Sequence, residues 1–582
     1  MIILLLLCIA VNANTLFNEY SIDDGVVLVE NQLVAKGIKG IPELFKTDYF
    51  FGYKDKGSFS TLAGARYRPV VLSVFALEYQ FFAANPMVSH LINVLLFALS
   101  VFLLFKLLSK YLFREKNQML AFVVCLLFAV HPIHSEVIAN VKSRDELIVF
   151  ILLISSLLCL VKYSDTRRTI HLAAGLVFFF AALLSKETAI TFVAVVPLVM
   201  YFFFGRTIKQ SVFFATPLVA VVVAYMALRF FVVGFGGPSE TDILNSPFLL
   251  ATHAEAFATK IFILAKYIGL LIFPHPLSCD YGYNQIPYLQ LSSVKFIFSL
   301  LLILTLVVCA FFAAKTRSLM SFSIFYFFVT LSVGTNFIVD LGAFMAERML
   351  FLPSLAYCIV VAVLYYQIKK KYKIISVSIL SVVLVLFSVK TVARNFEWKN
   401  VEALCLADVT TSPESFRITF YATEIFRSKA EKETDGSLRK EYLKKAQRFG
   451  EHAVRILPNY VPANISLGLI YLDQMDHFKA ADRWMKAYQL DSTSQDAQKG
   501  VKMLSGILYK QGNACSENGN AAEAIKYYKR SVELDPNNVE SWYDLGGTYF
   551  TLNDSVSAMN AWEVVKTKDP QHKLDKKDFV NK

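Results

Sequence analysis

Apolar runs of about 18 residues with almost no charge recur through residues 1–392 of this 582-residue chain, and they constrain its fold more than any other feature. One such run is long enough to cross the hydrocarbon core of a bilayer as a single helix. Only 18% of the residues are charged, whereas about 25% are charged in an average soluble domain. The pattern excludes a soluble enzyme and predicts an all-α polytopic membrane protein.

The charges between the runs predict which of them cross. The candidates are 2–13, 88–108, 118–130, 146–161, 170–184, 190–204, 211–234, 259–274, 293–314, 319–335, 349–366 and 374–392. Short cytoplasmic loops are enriched in Lys and Arg, and this rule is obeyed best if every run crosses except 259–274. We expect that run, which contains Lys260 and Lys266, to lie on the outer surface as an interfacial helix. We therefore predict eleven spans, with the first as an uncleaved anchor and the N-terminus in the cytoplasm.

This topology assigns five loops to the outer face, together with everything after about residue 393. The outer loops are 14–87, 131–145, 185–189, 235–292 and 336–348. Because the net charge of +12 is concentrated between spans, we expect contacts with membrane lipids and none with nucleic acid.

The tail is polar, and its second part is periodic. Residues 393–443 are expected to form a helical connection, and 444–582 carry turns at Leu457, Leu490, Leu534 and Lys568, spaced by 33, 44 and 34 residues. The last unit, 539–572, has the tetratricopeptide pattern of large and small residues at Trp542, Leu545, Gly546, Tyr549, Ala558, Trp562 and Pro570. The pattern predicts an α-solenoid, which would serve either as a binding surface for a polypeptide or as a rigid spacer.

Adjacent carboxylates stand in the first outer loop, at Asp23 and Asp24. Such a pair can deprotonate an acceptor, bind a cation or make a turn with Gly25. In the same loop, Arg66 and Arg68 precede an amphipathic stretch and are expected at the height of the lipid headgroups. They would meet lipid phosphate nonspecifically or form a specific phosphate clamp.

Further polar residues stand where other spans leave the membrane. His131, His134 and Glu136 resemble a zinc motif, but Pro132 breaks the helix that would align the two rings. A divalent metal is thus possible but not predicted.

The next loop continues into a span through a capping-box pattern, with Ser143 and Glu146 in S-x-x-E spacing. Arg144 and Asp145 have no such structural explanation and are either surface charges or residues of a functional site.

Lys186, Glu187, Glu347 and Arg348 are flanked by apolar residues at span ends. Ionisable residues at membrane depth usually mark function, although a side chain at a span end can also reach water.

Taken in order, these motifs resemble one family. They are Ile22-Asp23-Asp24, Tyr67-Arg68-Pro69, the segment from His131 to Glu136, Ser185-Lys186-Glu187, the segment from Pro276 to Tyr281, the segment from Glu347 to Ser354, and the repeats. Together they are similar to the transmembrane and tetratricopeptide-repeat O-mannosyltransferases, membrane glycosyltransferases of the GT-C fold. The resemblance implies a polyprenyl- or dolichyl-phosphate sugar as donor, with mannose expected, and a Ser or Thr acceptor presented through the repeats. No other cofactor is implied.

The resemblance also implies that the acidic pair is catalytic, with Asp23 as the base and Asp24 orienting. Inverting transfer needs a base for the acceptor hydroxyl and cations for the departing phosphate. The candidate phosphate-binding residues are Arg68, Arg144, Lys186 and Arg348. The candidate supporting polar residues are His131, His134, Glu136, Asp145, Glu187 and Glu347.

The segment 140–146 and the short N-terminus are more similar to bacterial relatives than to animal ones. We therefore expect a bacterial inner membrane with a periplasmic site, the alternative being the endoplasmic reticulum membrane with a lumenal site. Two other functions remain open: a transporter of lipid-linked sugars, and a noncatalytic scaffold whose repeats bind partners.

Overall fold

The computed structural model describes residues 1–56, 66–113, 118–234, 243–338 and 342–572. Over these residues the chain is helical or irregular and contains no β-strand, which confirms the all-α prediction. It forms two compact units, Met1–Ser415 and Phe416–Lys582. The stretch 393–443, expected as a helical connection, is helical and is divided between these units.

The first unit is a bundle of apolar helices joined by polar loops. Its helices are α1 Ile2–Asn12, α2 Ile41–Leu44, α3 Pro69–Phe82, α4 Pro86–Leu107, α5 Gln118–Val130, α6 Ser135–Ala139, α7 Arg144–Thr166, α8 Thr169–Leu183, α9 Phe192–Phe204, α10 Ile208–Val233, α11 His253–Ile272, α12 Val294–Ala314, α13 Leu319–Leu331, α14 Ser354–Lys371, α15 Lys373–Glu397 and α16 Val401–Thr411. One large hydrophobic core joins most of them, and a smaller core packs α3 against the earlier part of the first outer loop.

Several of these helices are long and apolar enough to cross a bilayer. By length and composition, six of the described helical segments qualify, or seven if α5 and the bent segment after it count as one span. The chain is therefore an integral membrane protein, but these criteria do not reproduce the predicted count of eleven. Shorter apolar helices account for part of the difference, and α11, the run expected on the surface, is not among the six.

A bend of 53° separates α5 from the segment Pro132–Ala139. Pro132 has no N–H to continue the helix, and the His131 ring accepts a hydrogen bond of 3.2 Å from the Ile133 N–H instead. The His131 Nε2 atom lies 3.0 Å from the Leu271 carbonyl oxygen, and the His134 Nε2 atom lies 2.9 Å from the Ser354 Oγ atom. Both rings thus hold the bend against neighbouring helices.

The second unit is a series of antiparallel helix pairs. Its helices are α17 Phe416–Lys432, α18 Gly436–Ile456, α19 Val461–Asp473, α20 His477–Leu490, α21 Gln495–Glu517, α22 Ala521–Leu534, α23 Val539–Thr551 and α24 Ser555–Lys568. The 44-residue step found in the sequence has a structural counterpart, since α21 has 23 residues whereas α19 and α23 have 13 each. The Trp484 ring packs between Gly468 and Gly500, where no side chain would fit.

Candidate functional site

The two adjacent carboxylates of the first outer loop have different surroundings. Asp24 is fully buried. It accepts hydrogen bonds from the Ser21 N–H at 2.8 Å, the Ser21 hydroxyl at 3.2 Å and the Lys142 N–H at 2.7 Å. The Asp23 carboxylate has 41% of its side-chain surface exposed and accepts a hydrogen bond of 3.0 Å from the Lys142 ammonium. Asp24 therefore ties this turn to the segment before α7, while the Asp23 carboxylate stays partly exposed.

Burial raises the pKa of Asp24 to about 6, against the lowering effect of the backbone N–H groups of Ser21 and Lys142. The negative charge of Asp23 raises this pKa further. At neutral pH Asp24 is therefore mainly ionised, as its role as acceptor of three hydrogen bonds requires.

Two predicted cations and the acidic residues around them form one network, which is buried except at Glu187. Arg68 donates to Asp145 at 2.7 Å and to Glu187 at 2.8 and 3.0 Å. Lys186 donates to Asp145 at 3.1 Å and to Glu146 at 2.6 Å. The structure thus brings together Arg68, Lys186, Asp145 and Glu187, which the sequence had placed in three separate loops.

Arg348 is held by Glu136, which follows the bend after α5. Glu136 accepts a hydrogen bond of 2.8 Å from the Arg348 N–H and also contacts its guanidinium. Burial lowers the pKa of this guanidinium, but the carboxylates of Glu136, Asp23 and Asp145 outweigh burial, so its pKa lies above the ordinary value. Arg348 retains 20% of its side-chain surface exposed and is close enough to Asp23 for their charges to interact.

The Glu347 side chain belongs to a second buried cluster, separate from the contact between Glu136 and Arg348. It accepts hydrogen bonds from the Ser278 N–H at 2.5 Å and from the Tyr281 hydroxyl at 2.8 Å. Burial raises its pKa to about 8, so it is mainly protonated at pH 7. The same loop is bound by Asp408, which accepts from the Cys279 N–H at 2.6 Å and pairs with Arg394 at 2.6 Å.

The surroundings of Arg144 differ from those expected of a surface charge. Its side chain is fully buried; it contacts Glu78, donates to the Asn93 side chain at 2.6 Å and donates to the Ser89 carbonyl at 3.0 Å. Three of its N–H groups thus bond inside the protein, where they join α3, α4 and α7. Asp145 is likewise buried, at 1% exposure, so neither residue is a surface charge.

The capping-box interpretation of Ser143 and Glu146 was wrong. Ser143 is the N-cap of α7, but its hydroxyl makes no capping bond, and Glu146 turns instead to the Lys186 ammonium. This contact compensates the charge of the buried Lys186 ammonium, which would be costly without a partner.

Sequence reasoning missed several partners of these residues. Lys142 pairs with Asp23, Glu78 pairs with Arg144, and Arg394 pairs with Asp408, 14 residues later in the chain. Lys142 carried one signal, since it stands directly before the charged start of α7. Arg394 and Asp408 lie in the polar region after the last apolar run, where no pattern distinguishes a buried pair from an exposed one.

Comparison with known proteins gives consistent similarities. A sequence model of the TPR repeat matches residues 512–553. The chain is 25% identical to a protein O-mannosyl-transferase of Caenorhabditis elegans over 72% of this chain and 59% of that protein. It is 23% identical to protein O-mannosyl-transferase TMTC3 of Homo sapiens, over 96% of this chain and 67% of that protein. Among solved structures, the crystal structure of MamA covers 32% of this chain at 14% identity, with a TM-score of 0.18.

The similarity extends over both units, but the chain spans only 59% of the length of the Caenorhabditis elegans relative and of protein O-mannosyl-transferase Tmtc3 of Drosophila melanogaster. The TPR match confirms the repeats predicted in the tail. The relatives' names agree with the family that the outer-loop motifs resemble.

Proposed function

We propose that this chain, which belongs to the transmembrane and tetratricopeptide-repeat O-mannosyltransferase family, transfers mannose from a polyprenyl- or dolichyl-phosphate donor to a Ser or Thr hydroxyl of a protein. The observation that carries the proposal is the position of Asp23. This carboxylate is partly exposed, 3.0 Å from the Lys142 ammonium and within electrostatic range of Arg348. A base and a cation able to meet a leaving phosphate therefore share one site.

In the proposed reaction, Asp23 takes the proton of the acceptor hydroxyl while that oxygen attacks the anomeric carbon of the sugar. The bond between this carbon and the phosphate oxygen breaks, and the lipid phosphate leaves with its electron pair. A positioned base contributes roughly 100- to 10,000-fold to the rate of such a step. Asp24 is buried and accepts three hydrogen bonds. It therefore fixes the turn that orients Asp23.

Arg348 is the first candidate for binding the departing phosphate. Glu136 fixes its backbone and guanidinium, yet part of the side chain stays exposed. A guanidinium has five N–H donors and can serve a carboxylate and a phosphate at once. Arg68 and Lys186 support the same region through Asp145, whereas we assign no phosphate contact to Arg144, because its side chain is fully buried against Glu78 and Asn93.

We place the reaction on the outer face, periplasmic in a bacterial inner membrane or lumenal in the endoplasmic reticulum. The charge pattern of the loops supports this placement, because it puts all of the outer-loop residues of the site on one side. The repeats would present protein acceptors on the same side, as tetratricopeptide arrays offer extended binding surfaces.

The function is tested with the purified full chain in nanodiscs. Polyprenyl-phosphate mannose and a Ser/Thr-rich peptide are added, and the peptide is analysed by mass spectrometry. The proposal predicts a gain of one hexose on Ser or Thr. Transfer from a nucleotide sugar in place of the lipid donor would contradict the proposed donor, and absence of transfer from either would favour a noncatalytic scaffold.

A further inference from the structure

Arg66 differs from the other cations around the site in its partners. Among the residues that the structure describes, Arg68, Lys142, Arg144, Lys186 and Arg348 each form an ion pair with a carboxylate. Over the same described residues Arg66 forms none. Its guanidinium instead lies over the Phe50 ring, 5.5 Å from the ring centre.

The position of Arg66 is defined by the fold. Its carbonyl oxygen accepts a hydrogen bond of 2.8 Å from the Tyr49 N–H, which joins the segment before α3 to the middle of the first outer loop. Two residues later, Arg68 enters the network of Asp145 and Glu187. The backbone that holds Arg66 therefore leads directly into the ion-pair network of the candidate site.

The electrostatic surroundings of Arg66 favour an anion. Burial lowers the pKa of its guanidinium, and the positive charges of Arg68 and Arg348 lower it further, while Glu187 opposes them. A partly buried cation beside other cations is costly unless a negative group compensates it. The contact with the Phe50 face engages the π system of the guanidinium and leaves its in-plane N–H donors available.

We infer that Arg66 binds the phosphate of the lipid-linked donor, as a specificity contact additional to Arg348. The fork of guanidinium N–H donors matches phosphate oxygens in a bidentate arrangement. This inference rests on the proposed function, because it assigns a further contact to the same donor. The phosphate chemistry is shared with ordinary lipid headgroups, and the experiment separates the two sources.

The test measures binding of undecaprenyl phosphate to the full chain in nanodiscs of zwitterionic phosphatidylcholine. Arg66→Ala should weaken binding about 10- to 100-fold, since a hydrogen-bonded charge pair is lost. Arg66→Lys should recover part of the affinity, because it keeps the charge but not the fork. Lys39→Ala is the matched control, as it removes an exposed cation from the same loop, and it should bind as the parent does.

A second set of nanodiscs contains anionic phosphatidylglycerol. The inferred role predicts the same weakening in both lipid mixtures. Parental affinity of Arg66→Ala in phosphatidylcholine would overturn the inference, and so would a defect that appears only with phosphatidylglycerol, which would mark a headgroup contact. If Arg66→Ala fails to fold, Arg66→Gln is judged by the same criteria. Because no sugar is transferred in this experiment, its outcome is independent of whether mannose transfer is observed.

Discussion

The Glu136 carboxylate binds both the backbone N–H and the guanidinium of Arg348. Glu136 is 1% exposed, so removing its partner leaves a buried charge without compensation, which typically costs about 3–5 kcal/mol. A simple truncation of Arg348 would therefore mix a loss of stability with a loss of phosphate binding. The two effects can be separated because both charges of the pair can be removed together.

We expect Arg348→Ala to lower the unfolding temperature of the detergent-solubilised chain and to weaken donor binding at least about tenfold. Arg348→Ala combined with Glu136→Gln should recover most of the stability, since no unpaired charge remains, but should not recover donor binding. Thermal unfolding and a binding titration with undecaprenyl phosphate measure the two quantities. Parental donor affinity in the double variant would show that Arg348 is only structural.

At the scale of elements, the helices could be predicted but many pairings between them could not. Apolar runs and the spacing of the repeats depend on nearby residues, so both appear directly in the sequence. Asp23 and Lys142 are 119 residues apart, and Glu136 and Arg348 are 212 apart. Such contacts depend on how the helices pack, and local patterns can mislead, as Glu146 shows by pairing with Lys186 in place of its own helix terminus.

Within the repeats, the Trp484 ring packs closely against Gly500 of α21. A Cβ atom at Gly500 would lie 1.9 Å from the Trp484 ring, whereas one at Gly506, in the same helix, would meet nothing within 4 Å. Gly500→Ala should destabilise the second unit by about 1–3 kcal/mol through overpacking. Gly506→Ala should be neutral or stabilising, because alanine favours a helix over glycine.

Urea unfolding of residues 416–582, followed by circular dichroism, compares these two variants with the parent. Equal stabilities of Gly500→Ala and Gly506→Ala would mean that Trp484 does not pack against α21 as described.

At the scale of the whole molecule, the site and the repeats can serve one substrate only if both lie on the same side of the membrane. The charge pattern predicts Lys370 in the cytoplasm and the repeats outside. Single cysteines placed at Lys370 and at Ser492, both exposed, in a background without native cysteines should react oppositely with a membrane-impermeant maleimide in intact cells: Ser492→Cys is labelled and Lys370→Cys is not. Labelling of both or of neither would contradict the topology.

Removal of the second unit tests whether the first unit carries out transfer while the second binds protein acceptors. A chain ending at Ser415 should still glycosylate a short peptide, because every described contact of the candidate site lies within the first unit. Transfer to a folded protein acceptor should fall strongly, since the proposed docking surface is gone. Comparable losses for the peptide and the protein would indicate that the repeats support the membrane unit instead.

The most direct test of the account is the replacement of Asp23 by Asn. Asparagine keeps the volume and can still accept the Lys142 hydrogen bond, but it cannot take a proton from the acceptor. Purified Asp23→Asn should therefore lose about 100- to 10,000-fold in turnover while binding undecaprenyl phosphate as tightly as the parent. Glu43→Gln, at an exposed position in the same loop, is the control and should transfer normally. Near-parental transfer by folded Asp23→Asn would contradict the assignment of Asp23 as the catalytic base.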